Sequence, residues 1–345
     1  MLFNIESDFG DQIVGYIVPD TFTETPAVRV ISEGKEVLRL TANDPRPALV
    51  DAGRHATGLC GFSIGTELIP DLALMADLEL YEISTDILIY RRPQPGQTQA
   101  KVLRIETQLF PLWRLDDSFD YFFQYFNKGL ERFGRETVTQ LFLLNHVNSV
   151  YLAGRILYKN YAYYVDQGFE MTILFQDPFR EFAERLLVLQ QLDRLGTKYL
   201  GDRDGTRFEP AVRYFKGLDV SNPKLVKKAL NDMPIEVAHL MADPVTRQLV
   251  TSTPDEMPTG ASLAACLEIL SECKVVGLRE DPETYVGALG AWFGLDPMSL
   301  PSIPQFPKAE ALAEIIAETR AINHLIERDL ELYWQVRSAI MEHVR

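Results

Sequence analysis

From its first residues the chain alternates apolar and polar positions with a period of two. The stretches Ile13-Val14-Gly15-Tyr16-Ile17-Val18, Ala27-Val28-Arg29-Val30-Ile31 and Glu36-Val37-Leu38-Arg39-Leu40 each present one apolar face, and turn residues such as Glu33-Gly34-Lys35 separate them. Leu59–Ile64, Ala76–Glu82 and Asp86–Tyr90 continue the series. Strands of this length bury one face against a second sheet, so residues 1–92 are expected to form a small all-β sandwich of about six to eight strands. Arg91-Arg92-Pro93-Gln94-Pro95-Gly96-Gln97, with two prolines and a glycine among polar neighbours, reads as a linker.

Beyond the linker the period changes. Ser118–Phe133 carries aromatics at helical spacing and predicts a helix covering a sheet face. Val138–Asn145 has the length of a buried strand, with a helical stretch after it to about Lys159. Met171–Phe175 predicts a second buried strand. Asp177 as N-cap and Pro178 at the first helical position then open a helix to about Leu195. Helices follow over 222–230 and 260–271, a third strand over Lys274–Leu278, a helix from Pro282 to Phe293, and a long charged helix or helix pair from Lys308 to Val344. Alternating strands and helices imply a parallel sheet with helices on both faces. The expected class is therefore α/β, a parallel sheet flanked by helices and preceded by an all-β sandwich. Its divisions are 1–92, a linker and covering helix over 93–134, and an α/β domain over 135–345.

Charge narrows the functional classes. The chain has a net charge of -15, and residues 1–100 carry 7 Lys/Arg against 15 Asp/Glu. Residues 120–230 carry 16 against 13, the one mildly basic stretch. Nucleic-acid binding is not expected of so acidic a protein, whereas a small anion held in the basic stretch is compatible with it. Cys60, Cys266 and Cys273 form no CxxC pair and have no histidine at zinc-ligand spacing, so no disulfide framework or metal is expected. MLFNIESDFGDQ lacks the basic and apolar regions of a signal peptide, and no run is long enough to span a bilayer. A cytoplasmic location is the expectation.

Several short strings then occur in an order that resembles carbohydrate sulfotransferases. Phe175-Gln176-Asp177-Pro178-Phe179-Arg180-Glu181-Phe182 is similar to the pattern R-D-P-x-x-R-F-x-S, and Val275-Val276-Gly277-Leu278-Arg279-Glu280 to F-V-G-L-x-E. Gly287–Leu295 follows, and Asp329-Leu330-Glu331-Leu332-Tyr333 matches a terminal D-x-x-L-Y. The resemblance covers about residues 135–340 and implies a P-loop-like fold binding 3′-phosphoadenosine 5′-phosphosulfate. Residues 1–92 resemble a sandwich module found beside bacterial glycan-modifying enzymes, through Gly15-Tyr16, Pro26–Val30, Ala42–Arg46 and Gly58–Phe62. The partner implied is a glycan or lipid-linked saccharide of surface-polysaccharide biosynthesis, and a homo-oligomer is compatible with it.

The phosphate loop of that family, P-K-T-G-G-T-S-L, overlays on Asn145–Leu152. His146 stands at the lysine, Asn148 and Ser149 at the glycines, and Val150 at the hydroxyl. The glycines let backbone N–H groups close on phosphate oxygens and the lysine neutralises developing charge, so these departures weaken the site. Through the overlay His146 is the catalytic candidate, although a structural histidine is the plainer reading. Asn148, Ser149, Arg155, Lys159 and Arg180 are the candidates for the donor, with Arg155 and Lys159 at i, i+4 on the expected helix. Tyr158, Tyr161 and Tyr164 are candidates for the acceptor sugar. Gln176 and Glu184 replace an arginine and a serine that would hold the 3′-phosphate, while Arg180 and Arg185 read most simply as solvated helix residues. Three functions follow: sulfuryl transfer to a glycan hydroxyl, a non-catalytic saccharide-binding or complex-assembly protein, or a glycosyltransferase using Asp202-Arg203-Asp204, a tripeptide that reads as part of a glycine-flanked loop.

Overall fold

A computed structural model describes residues 1–21, 23–145, 147–195 and 200–343, with the backbone alone for 193–195 and 343. The chain divides into two compact units. The first is Met1–Lys101, Phe119–Asn127 and Phe133–Leu152, and the second is Val102–Ser118, Lys128–Arg132 and Ala153–Arg345.

The first unit begins with β1 (Leu2–Asp8), β2 (Gln12–Val18), β3 (Ala27–Ser32), β4 (Lys35–Thr41), β5 (Asp44–Pro45), the short helix α1 (Pro47–Asp51), β6 (Leu59–Gly65), β7 (Glu79–Glu82) and β8 (Leu88–Arg91). They form two four-strand antiparallel sheets, ordered β1-β2-β6-β5 and β4-β3-β7-β8. The two-residue period does what it predicts. Val28 and Val30 on β3 and Ile13 and Ile17 on β2 are fully buried, while Ala27, Arg29 and Ile31 of β3 and Val14 and Tyr16 of β2 are half-buried. Glu33 and Gly34 join β3 to β4 with positive φ at both residues, the geometry that the twist of a tight hairpin requires. Arg91 and Arg92, expected in a linker, are buried. Arg91 binds Glu79 at 2.6 Å and Asp120 at 2.7 Å, and Arg92 holds Asp8 at 2.8 Å.

From residue 101 the elements are β9 (Lys101–Ile105), α2 (Trp113–Asp117), β10 (Tyr125–Lys128), α3 (Arg135–Phe142), β11 (Val150–Gly154), α4 (Ala162–Val165), β12 (Phe169–Phe175), α5 (Pro178–Leu195), α6 (Gly201–Phe215), α7 (Pro223–Asn231), α8 (Ile235–Met241), α9 (Pro244–Val250), α10 (Ser262–Ser271), β13 (Cys273–Leu278), α11 (Pro282–Phe293), α12 (Pro307–Ala317), α13 (Arg320–Leu325) and α14 (Glu327–His343). A five-strand parallel sheet ordered β10-β11-β9-β12-β13 is flanked by helices. Capping follows the residues that announce it. Asp177 accepts from the N–H groups of Phe179 at 2.9 Å and Arg180 at 3.2 Å, and Asn222 opens α7 in the same way. Asp243 and Asp329 cap reciprocally. Asp243, before α9, accepts from Arg328 and Asp329 at the start of α14, and Asp329 accepts from Val245 and Thr246 at the start of α9. The helical cover is cored by Phe182, Leu186 and Leu189 of α5 with Phe208, Leu312 and Ile316.

Four expectations need correction. Ser118–Phe133 is not one helix but a 3-10 turn at Asp120–Phe122, strand β10 and a second turn at Leu130–Arg132. Its aromatics belong to a ring cluster, in which Phe119, Phe123 and Phe126 surround Tyr151 at 5.4 to 5.6 Å. Val138–Asn145 is not a strand. Thr137, Val138, Leu141 and Phe142 form the buried stripe of α3, and Leu143 is exposed. The stretch read as helix after it contains β11, all five residues of which are buried. The segment from Lys308 is three helices rather than one or two. Three strands, β1, β5 and β9, have no counterpart in the sequence pattern, and β9 occupies the middle of the parallel sheet.

Candidate functional site

The phosphate-loop overlay does not produce a strand, loop and helix in that order. Asn145 and Val147–Ser149 fall between α3 and β11, so Val150–Leu152 is strand and no helix begins there. His146 lies outside the described residues. Asn148 is exposed. Ser149 is buried, and its hydroxyl accepts from the Gln124 N–H at 2.9 Å while its carbonyl accepts from Tyr125, a structural anchor for β10. Arg155 and Lys159 are not successive turns of one helix. Arg155 leaves the end of β11 and is buried, and Lys159 sits exposed in the 3-10 turn Tyr158–Asn160. Tyr158 and Tyr161 are buried, and Tyr164 is half-buried against Tyr163 at 5.4 Å. Arg180, also buried, bonds Gln305 and pairs with Glu310 at 3.2 Å. Neither Arg180 nor Arg185 is a solvated helix residue, because both point into the second unit.

Of the candidates, Arg155 alone reaches a pocket lined by other cations. This pocket of about 70 Å³ lies in the second unit, lined by Leu109, Arg155, Ile156 and Leu157 beyond β9 and β11, by Arg185 of α5, by Arg203, Asp204, Arg207 and Phe208 of α6, and by Pro244, Arg247 and Gln248 of α9. One water needs roughly 15 Å³ by this kind of measure, so the space suits a small tetrahedral oxyanion. The chain enters it from the C-terminal ends of two parallel strands, where open α/β sheets hold their ligands.

The five arginines are not equally satisfied. Arg155 pairs with Asp204 at 3.0 Å and Glu131 at 3.6 Å and donates to the carbonyls of Gln108 and Leu109. Arg185 binds Glu181 at 2.6 Å and the Thr107 carbonyl at 2.7 Å. Burial pushes the Glu181 carboxyl up to about 7, which weakens that compensation near neutral pH. Arg203 is exposed and lies 3.5 Å from Asp204. Arg207 and Arg247 have no carboxylate within ion-pair distance among the described residues. Arg207 donates to the Pro254 carbonyl at 2.9 Å and its buried Nε has no partner. Arg247 donates only to main-chain carbonyls, those of His239, Ala242 and Pro254. Burial and the neighbouring charge of Arg247 bring the Arg207 guanidinium down to about 10, and burial with Arg185 lowers Arg247 as well. The Pro254 carbonyl accepts from both, and their like charges repel.

Asp202-Arg203-Asp204, expected in a loop, forms the first turn of α6, where Asp204 is held by Arg155. Sequence reasoning missed Arg203, Arg207 and Arg247. The first two stand at i, i+4 on one helix in the basic stretch, which is a readable signal, whereas Arg247 comes from α9 and joins them through the fold alone. Compared with protein-family models, with curated proteins and with solved structures, the chain matches none.

Proposed function

We propose that this protein binds the anionic end of a phosphorylated or sulfated small molecule in the arginine pocket, as a diverged relative of the sulfotransferase-type proteins its motifs resemble. The observation that carries the reading is the pair of half-buried Arg207 and buried Arg247, which both donate to the Pro254 carbonyl and, among the described residues, are matched by carbonyls alone. Gathering like charges under apolar cover costs folding free energy, and an oxyanion accepting from both guanidiniums would offset it. 3′-phosphoadenosine 5′-phosphosulfate, the donor the motifs imply, carries such groups, as does a sulfated or phosphorylated saccharide. Binding is favoured over sulfuryl transfer because the carboxylate lining the pocket, Asp204, is already held by Arg155 and so is poorly placed to take a proton. The same pairing counts against a metal-binding role in glycosyl transfer.

The test is calorimetric titration of the full chain with 3′-phosphoadenosine 5′-phosphate, adenosine monophosphate and sodium sulfate. Micromolar binding of the first, with sulfate competing, supports the donor reading. Sulfate binding without nucleotide preference supports a simpler anion site. No heat from any of them up to millimolar concentration sinks the proposal.

A further inference from the structure

The charges around the arginine pocket do not cancel, and what is left over selects among anions. Arg155 and Arg203 share two carboxylates. Glu131 lies 3.6 Å from Arg155, and Asp204 lies 3.0 Å from Arg155 and 3.5 Å from Arg203. Arg185 has Glu181 at 2.6 Å. Above about pH 7, where Glu181 is ionised, three of the five guanidiniums are thereby matched one for one. Arg207 and Arg247 have no ion-pair partner among the described residues and donate to main-chain carbonyls, that of Pro254 in common. The exposed Asp255 acts on both only from beyond ion-pair distance. Asp243 and Asp329 act on Arg247 as well, but both are occupied in capping α14 and α9. Two positive charges are therefore left over, that of Arg247 buried and that of Arg207 half-buried, where salt screens them weakly.

Resting on the reading of this pocket as an anion site, we propose that the group it takes is a phosphate monoester, a dianion, in preference to a sulfate ester, a sulfonate or a phosphodiester, each of which carries one charge. The space of about 70 Å³ suits one tetrahedral group. Shape does not tell a phosphate ester from a sulfate ester, but charge does. Two unmatched guanidiniums give each charge of the dianion its own partner, and charge-assisted bonds to arginine are the strong ones. The experiment compares methyl phosphate with methyl sulfate by calorimetric titration of the full chain at pH 8, where the two have nearly the same shape and differ by one charge. Methyl phosphate is expected to bind about tenfold to a hundredfold more tightly. Arg207→Gln, which leaves one charge over, should cut that preference to about threefold or less, and Arg207→Lys, which keeps the charge, should preserve most of it. The wild-type comparison decides the matter if Arg207→Gln does not fold. Equal affinity for the two esters, a preference untouched by Arg207→Gln, or binding of sulfate ion but of neither ester would each overturn the assignment and leave the anion site standing. If sulfate ion and both esters all fail to bind, the anion site falls with it.

Discussion

Arg104 and the pair Arg207 and Arg247, all in the second unit, hold their guanidinium groups away from water on opposite terms. Arg104, in the middle of β9, is 1% exposed and bound bidentately to Asp116 at 2.6 and 2.7 Å, with Glu106 at 2.9 Å. Arg207 and Arg247 are held by carbonyl oxygens against the repulsion of their like charges. The first arrangement closes its own electrostatics, and Glu106 goes further by accepting from the N–H groups of Gln108 and Leu112, which fixes the loop after β9. The second leaves positive charge over. Buried charge completed by the chain supports the fold, and buried charge left incomplete points to something the chain must bind.

The largest effect expected on this contrast is on stability. Asp116→Ala strips Arg104 of its bidentate partner and should destabilise the protein by about 3–5 kcal/mol, the usual cost of orphaning a buried charge. Urea denaturation at pH 7 measures it. Arg207→Gln should cost little or nothing in the same experiment, because its charge is disfavoured in the folded state. A loss as large as that of Asp116→Ala would make Arg207 a structural residue and break the comparison.

Binding should reverse the order. Arg207→Gln should weaken sulfate, or any phosphate ester found to bind, by about tenfold to a hundredfold, as for one lost charge-assisted hydrogen bond. Stabilisation by added sulfate gives a second readout, since a ligand specific to the folded state raises the unfolding midpoint by mass action. Wild-type protein should gain more than the variant. Equal gains would mean that sulfate acts on the surface generally.

The same contrast explains what could be read from the residues. The sandwich strands β2, β3, β4, β6, β7 and β8 were legible because each alternates, and β12, α5, β13 and α11 because apolar runs or capping residues mark them. Strand β9 was not. KVLRI carries an arginine at its fourth position, which breaks an apolar run unless one knows that Asp116, twelve residues on, will neutralise it. Without β9 the residue pattern alone makes α3 the first strand of the sheet and β11 a helix. Charge pairing also hid the cluster around Arg180, Arg185, Glu181 and Glu184, residues that look solvated on a helical wheel. Arg155 was found as a cation in the basic stretch, but its neighbours Arg207 and Arg247 come from helices forty residues apart in sequence, and only packing brings them together.

The smallest expected effect sharpens the comparison inside the pocket itself, at Arg185. Its partner Glu181 is buried, and burial raises that carboxyl to about 7. A folded-state pKa above the unfolded one means that this group contributes stability below about pH 4.5 and that the contribution is lost as pH rises through about 7. For binding the consequence runs the same way. Below about 7 the protonated Glu181 no longer neutralises Arg185, the pocket becomes more positive, and an oxyanion binds more tightly. Sulfate stays fully ionised through this range, so its affinity should rise severalfold from pH 8 to pH 6 without a contribution from the ligand. Glu181→Gln mimics the protonated carboxyl and should bind sulfate at pH 8 as the wild type does at pH 6, with a flat profile between. A wild-type profile already flat would mean that Arg185 stays compensated throughout, and the unmatched charge of the pocket would then reside in Arg207 and Arg247 alone.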